Sequence, residues 1–270
     1  MPELPEVESV ARQLRPRLVD RRITAVWVDP QARFDDVHKA TGARVTALRR
    51  RGKYLLGDLA APGTPPRELV MHLGMTGAFR FRGGAWEPDT YVRATFTLDD
   101  GVLDFRDVRR FGRLSVVPAG DHTGIATLAR MGPEPLGPDF APDAFHAALR
   151  RSRMSVKAQL LSQRPVAGVG NIYADEALWL ARINPRARRI GRERAARLWS
   201  AIRQVLAEAI EREGTTFRDY QMVNGESGRN ATFLIAYGRE GRPCPRCGTP
   251  LRKIAVAGRG TTYCPRCQRV

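Results

Sequence analysis

A chain of 270 residues is long enough for a substantial hydrophobic core and for more than one domain. Its 45 Lys plus Arg against 28 Asp plus Glu leave a formal charge of +17, a balance that expects a polyanionic partner. There is no apolar run of the roughly 18 residues of a membrane helix, and the acidic, proline-bearing start is unlike a secretory signal, so no membrane span is expected and the protein should be soluble and intracellular.

The chain opens Met1-Pro2-Glu3-Leu4-Pro5-Glu6-Val7-Glu8, and two readings of these residues coexist. Pro5 at a first helical position, with Glu6 and Glu8 in the first turn, starts a helix: proline needs no donor there and the acids face the positive helix end. Removal of the initiator methionine would also make Pro2 a secondary amine, with the Glu3 and Glu6 carboxylates close by in sequence. An α-amino group titrates near pH ~8 and is a nucleophile at neutral pH without any depressed lysine. From Glu6 the stripe Val7, Val10, Ala11, Leu14 and Leu18 continues the helix, with Pro16 expected to loosen or bend its last turn.

From about Arg22 to Val117 the pattern changes to short alternating or β-branched runs: Ile23 to Val28, Val45 to Leu48, Tyr54 to Leu59, Glu68 to Leu73, Ala78 to Phe81, Tyr91 to Leu98, Val102 to Phe105 and Gly112 to Val117. Asp99-Asp100-Gly101 marks a hairpin between two of them. These runs predict a β-sandwich or barrel-like domain over residues 1–120. Gly52-Lys53 follows Arg49-Arg50-Arg51 and precedes an apolar strand, which puts a lysine at a hairpin tip, either reaching a phosphate or simply solvated. Met75 in His72-Leu73-Gly74-Met75-Thr76-Gly77 and Phe111 in Arg109-Arg110-Phe111-Gly112 sit beside glycine-flexed backbone, where they either wedge between bases or pack as core. His72, alone on an apolar strand, reads by default as a satisfied core histidine.

Residues 121–142 are rich in proline and glycine and read as a linker. Beyond it, residues 143–236 take a helical period, with helices over Asp143 to Arg151, Ser155 to Ser162, Asn171 to Ile183 and Arg192 to Glu213, and Ser155 and Asn171 placed as N-caps. The turn Ala167-Gly168-Val169-Gly170-Asn171-Ile172 is either a tight interhelical turn or a place where backbone amides meet a phosphate. Gly214 to Asn230 is polar and aperiodic, a loop long enough to be functional or disordered. The last segment, 237–270, holds all four cysteines. Cys244-Pro245-Arg246-Cys247, sixteen residues, then Cys264-Pro265-Arg266-Cys267 is the spacing of a four-thiolate zinc ribbon. With no open position, its Zn²⁺ holds structure and performs no chemistry. The hairpin between the knuckles carries Arg252, Lys253 and Arg259 toward phosphates.

Seven motifs follow one another along essentially the whole chain: P-E-L-P-E-V-E at the amino terminus, R-R-G-K-Y-L-L at 50–56, H-L-G-M-T-G at 72–77, R-R-F-G at 109–112, M-G-P-E-P-L at 131–136, G-V-G-N-I-Y-A-D-E at 168–176, and Y-G-R-E-G-x-P-C-x-x-C-G with R-G-T-T-Y-C-P-x-C-Q at the end. Together they resemble the formamidopyrimidine-DNA glycosylase family. The resemblance implies an α+β multidomain protein: an N-terminal β-sandwich with an N-terminal helix, a helix-two-turns-helix module and a C-terminal zinc finger, with DNA bound in the cleft between them. It implies a monomeric, cytoplasmic bacterial base excision repair enzyme that acts on duplex DNA carrying damaged bases or abasic sites. The expected activity is that of a bifunctional glycosylase and lyase for 8-oxoguanine and ring-opened purines.

The same resemblance assigns roles. Pro2 would attack the sugar and form a Schiff base, Glu3 would manage protons at the sugar ring, and Glu6 would position or relay them. Lys53 and Arg259 would complete the catalytic set while also gripping phosphates with Asn171. Met75, Arg109 and Phe111 would fill the void left by a flipped nucleotide, and His72 and Tyr237 would add DNA contacts. The loop Thr215 to Asn230 would close over the base. Departures are Glu226-Ser227-Gly228-Arg229-Asn230 in place of a proline-glycine-aromatic sequence, Val108 in place of proline and Ser9 in place of threonine. Leu4, where the pyrimidine-directed endonuclease VIII branch has glycine, favours the purine branch. A catalytically silent DNA-binding protein is the rival of another class, and a zinc-ribbon ribosome or transcription factor would explain only the tail and the charge.

Overall fold

Helix α1 (Leu4–Leu18) starts earlier than the apolar stripe alone predicts, because Glu3 and Glu6 form a capping box and Pro5 lies at the second helical position. Glu6 Oε2 accepts the Glu3 N–H at 2.7 Å, satisfying an amide that the helix itself cannot pair. Pro16 sits inside the last turn, and the helix runs through it to Leu18. The stripe Val7, Val10, Ala11, Leu14 and Leu18 is buried, each of the larger side chains contributing about 1.5–3 kcal/mol of transfer free energy.

The structure, a computed structural model, describes residues 1–83, 89–216 and 223–269. They fall into two units: Met1–Ala129 with Arg212–Arg229, and Arg130–Glu211 with Asn230–Val270. In the first unit, strands β1 (Ile23–Val28), β2 (Arg44–Arg51), β3 (Tyr54–Ala60), β4 (Arg67–His72), β5 (Gly77–Phe81), β6 (Val92–Leu98), β7 (Gly101–Asp107) and β8 (Arg113–Pro118) match the alternating runs to within a few residues at each end. They pair antiparallel in two four-stranded sheets, β2-β3-β4-β8 and β1-β6-β7-β5, the β-sandwich the alternation expects. Leu55, Leu69, Met71 and Leu114 of one sheet and Phe79, Phe96, Leu103 and Phe105 of the other share one core with α1. Asp99-Asp100 turns β6 into β7, with Leu98 paired to Gly101.

The second unit is helical apart from its tail. A short helix, α2 (Ala126–Ala129), ends the first unit within the stretch read as a linker, and α3 (Pro142–Arg150), α4 (Val156–Leu161), α5 (Asn171–Leu180) and α6 (Arg192–Glu211) follow. Ser155 caps α4 as expected, its hydroxyl accepting from the Ala158 amide. The expectation that Asn171 caps α5 is corrected: Gly170 is the cap, with extended φ −120°, and Asn171 is the first helical residue. Its side chain instead reaches away and donates from Nδ2 to the Gly260 carbonyl at 3.1 Å. Helix α5 ends at Leu180 rather than Ile183 because Arg182 turns left-handed, at φ +57°. Strands β9 (Arg252–Val256) and β10 (Arg259–Tyr263) form the C-terminal hairpin. No helix among the described residues is long and apolar enough to cross a membrane.

Candidate active site

Pro2, Glu3 and Glu6 are buried together at the start of α1. In the full chain the Pro2 nitrogen is the amide of the Met1-Pro2 bond, so it stands in for the amine that methionine removal would create. Glu6 uses both carboxylate oxygens structurally: Oε2 takes the Glu3 N–H, and Oε1 takes the Thr215 N–H at 2.6 Å. It therefore ties the helix start to backbone from more than two hundred residues away, which suits a positioning role. Gly214 makes that approach possible. Its φ is +81°, and a Cβ there would lie 2.7 Å from Glu6 Oε1. The sequence marks Gly214 and Thr215 only as the start of a loop; their tie to Glu6 is not readable there, since that partner is remote in the chain.

Lys53 is buried at the two-residue β2–β3 turn, where Gly52 supplies the left-handed residue at φ +56°. The ladder pairs Tyr54 with His72, and their rings pack tilted at 45° with centroids 4.7 Å apart. His72 Nδ1 accepts the Gly74 N–H at 3.2 Å, which puts the ring proton on Nε2. Burial, and then the Lys53 and Arg113 cations, lower the His72 pKa to about 4, so at neutral pH the ring is an uncharged donor. The sign of the resulting pH dependence is fixed. Above the ordinary pKa of 6.5 neither state is protonated; between 6.5 and about 4 only the unfolded state takes the proton, and stability falls as pH drops through that window. His72→Gln should abolish this component: from pH 7 to pH 4, wild type should lose on the order of 2–3 kcal/mol more than the variant, read from urea midpoints.

Met75 lies in the turn after β4, and Arg109 and Phe111 in the turn before β8. The two turns touch: a Cβ on Gly74, at φ +63°, would meet the Phe111 carbonyl carbon at 2.4 Å. Phe111 is half exposed, and the Arg109 guanidinium lies over its ring at 4.9 Å. Asp107, almost fully buried, organises both turns. Oδ1 accepts from Thr76 Oγ1 at 2.5 Å and from the Arg109 amide at 3.2 Å, and Oδ2 accepts from the Gly112 amide at 2.6 Å. An acid at a strand end is ordinarily solvated, so nothing local in the sequence marks this carboxylate. Asp107→Ala should lower stability by about 3 kcal/mol in denaturant unfolding, because several buried donors lose their acceptor, whereas Thr76→Val should cost about 1 kcal/mol.

In the second unit, Asn171 and Arg259 come together through the Asn171 hydrogen bond to Gly260, the residue after Arg259. A buried network holds this register. Lys157 Nζ donates to Asp175 Oδ1 at 2.6 Å and to Thr261 Oγ1 at 2.7 Å, while Asp175 Oδ2 accepts the Thr262 amide at 2.9 Å. Next to Asp175, Glu176 accepts the amides of Ile235, Ala236 and Tyr237 at 3.0, 2.9 and 2.8 Å, which sets the backbone that carries Tyr237. Sequence reasoning missed both acids, although two carboxylates in an otherwise apolar helix are the signal that could have found them.

The ligand atoms of Cys244, Cys247, Cys264 and Cys267 lie within 4.8 Å of one another. A tetrahedron with Zn–S bonds of about 2.3 Å has edges near 3.8 Å, so the cluster is sized for zinc. Gly248, at φ +72°, turns the first knuckle so that its amide meets the Cys244 carbonyl at 2.8 Å. Four protein thiolates and one structural Zn²⁺ complete this segment. In the loop expected to close over a base, residues 217–222 lie outside the described residues. Around them, the Thr216 hydroxyl accepts the Gly228 amide at 2.9 Å and Gln13 Oε1 accepts the Asn224 amide at 3.2 Å.

Three known domain families match the chain in succession. The formamidopyrimidine-DNA glycosylase N-terminal domain matches residues 1–114, the H2TH domain of the same enzyme 131–221, and the zinc finger found in FPG and IleRS 241–270. The formamidopyrimidine-DNA glycosylase of Thermus thermophilus is 48% identical over 99% of this chain and 98% of its own length. The crystal structure of a MutM (Fpg) protein from Thermus thermophilus superimposes with a TM-score of 0.90 at 47% identity, covering 99% of this chain and 98% of that one. A Lactococcus lactis Fpg variant solved with Fapy-dG-containing DNA gives a TM-score of 0.90 at 35% identity over the full length of both chains. With a buried Pro2-Glu3-Glu6 corner, a four-cysteine finger and full-length relatives nearly half identical, the chain belongs to the formamidopyrimidine-DNA glycosylase family.

Proposed function

We propose that the protein removes oxidised purines, 8-oxoguanine and formamidopyrimidines, from duplex DNA and then cleaves the resulting abasic site. The observation that carries the reading is the helix start at which Pro2, Glu3 and Glu6 are all buried and Glu3 and Glu6 form a capping box. After methionine removal the Pro2 amine attacks C1′, the glycosidic bond breaks with its electron pair leaving on the base, and the amine proton is passed on so that the base departs neutral. The ring oxygen takes a proton as the sugar opens, leaving an iminium bonded to Pro2. Loss of a C2′ proton expels the 3′ phosphate, and a second elimination expels the 5′ phosphate. Glu3, held at the helix start, is the group positioned to move protons at the sugar, and Glu6 positions it.

The division of labour follows four segments: catalysis in 1–120, a linker over 121–142, a helix-two-turns-helix DNA-binding module over 143–236 that meets the lesion duplex at its Asn171 end, and the zinc finger in 237–270. Met75, Arg109 and Phe111 occupy the space a flipped nucleotide vacates, which offsets part of an unstacking penalty of a few kcal/mol. Lys53, Asn171 and Arg259 grip phosphates, while His72 and Tyr237 add contacts to the same strand. His72 does so as a neutral donor, so its contribution is insensitive to pH above about 5, given a ring pKa of about 4. Rates of release from 8-oxoguanine opposite cytosine and from thymine glycol, measured on otherwise identical duplexes, test the substrate class. Faster release of the purine is expected, and faster release of thymine glycol would overturn it.

A further inference from the structure

Between residues 182 and 197 the chain carries seven arginines and a single acid, Glu193. Three of those arginines are satisfied locally: Arg192 pairs with Asp143, Arg197 with Glu193, and Arg194 donates to the Arg269 carbonyl. Arg182, Arg186, Arg188 and Arg189 are exposed, and their guanidinium groups have no partner among the described residues. The zinc finger extends the same surface. Asn184 Nδ2 donates to the Gln268 carbonyl at 3.0 Å and Gln268 Nε2 donates to the Ile183 carbonyl at 2.9 Å, which brings exposed Arg266 and Arg269 beside the arginine loop.

This surface is separate from the phosphate grip proposed at Asn171 and Arg259. Two packed elements measure the separation. Helix α5 starts at Asn171 and ends just before Arg182, and its 10 residues span about 15 Å. Strand β10 starts at Arg259 and leads into Cys264, and its 5 residues span about 16 Å. The two are in register at both ends, through Asn171 to Gly260 and Asp175 to Thr262 near one, and Ile183 to Gln268 at the other. Arg182 and Arg266 therefore lie toward the far end of both elements from Asn171 and Arg259, and Arg186, Arg188 and Arg189 follow on a loop whose Pro185 and Ala187 carbonyls accept the Lys157 and Val156 amides.

We propose that this arginine face binds the phosphate backbone of a second duplex segment, distinct from the one being repaired. Unpaired guanidinium forks match phosphate oxygens in geometry as well as charge. A protein partner fits less well: protein interfaces have an apolar or aromatic core, and no large apolar side chain is exposed between 182 and 197 or between 264 and 269.

The test uses the full-length protein and the triple variant Arg186→Gln/Arg188→Gln/Arg189→Gln. Bridging is read as capture of a labelled undamaged duplex by an immobilised undamaged duplex, over a range of salt. Excision is read separately on an 8-oxoguanine duplex of about one helical turn. Wild type should bridge, and the variant should bridge at least tenfold less, with a log–log salt slope shallower by about 2 to 3, while excision on the short duplex stays unchanged. Equal bridging by the variant, or none by wild type, would overturn the proposal, as would a parallel fall in excision, which would place the arginines at the lesion site. Unchanged bridging with lost binding to poly-glutamate would assign the face to an acidic protein instead. Because bridging uses undamaged DNA, failure of wild type to excise 8-oxoguanine would sink the enzymatic reading and leave this one to its own result.

Discussion

Glu3→Gln should lower release of an oxidised purine by about 10²–10⁴-fold while leaving the fold intact, the range expected when a positioned proton-transfer group is lost. Glu3 is 2% exposed and closes the capping box with Glu6, so it is held rather than free to swing. Glutamine has the same shape and keeps an acceptor for the helix amides, so a stability change of no more than about 1 kcal/mol is expected. The substitution leaves Pro2 itself unchanged, and reaction with a preformed abasic site should fall less than base release. Single-turnover rates on the two substrates read the difference. Equal rates for variant and wild type would remove Glu3 from the proton chemistry.

Cys264→Ala should reduce bound zinc from one per chain to near zero and weaken binding to a lesion duplex by about 100-fold or more. Cys264 is fully buried among the four thiolates, and a structural zinc supplies on the order of 10–16 kcal/mol of apparent folding free energy to small finger modules. Without it the β9–β10 hairpin loses its base, and with it the Gly260 carbonyl on which Asn171 is oriented. Two phosphate contacts at about 1.5 kcal/mol or more each account for the expected loss of affinity. The first unit has its own core and should keep its unfolding transition. Zinc stoichiometry and duplex titration decide the matter, and full affinity in a zinc-free variant would contradict a structural role for the metal.

What is legible in the sequence is whatever depends on local pattern. The α1 stripe, the eight strands and the cysteine pairs each declare themselves within about twenty residues, because amphipathic period and metal-ligand spacing are local properties. The residues that orient the candidate site do not declare themselves. Asp107 joins the amides of its own turn to the Thr76 hydroxyl 31 residues away, Glu6 accepts from Thr215, and Lys157 meets Thr261 across more than a hundred residues. Such carboxylates and lysines look solvated until the fold closes around them. Asn171 illustrates the intermediate case: its place at a helix start is readable, but its side chain serves Gly260 rather than its own helix.

Borohydride trapping on an 8-oxoguanine duplex, followed by peptide mapping and intact-mass measurement, bears most directly on the central claim. The expected result is a protein that has lost Met1, a covalent DNA adduct on the nitrogen of Pro2, and no adduct when Pro2 is blocked by a retained methionine. An adduct on Lys53 or another lysine, or equal trapping by protein that retains Met1, would contradict it.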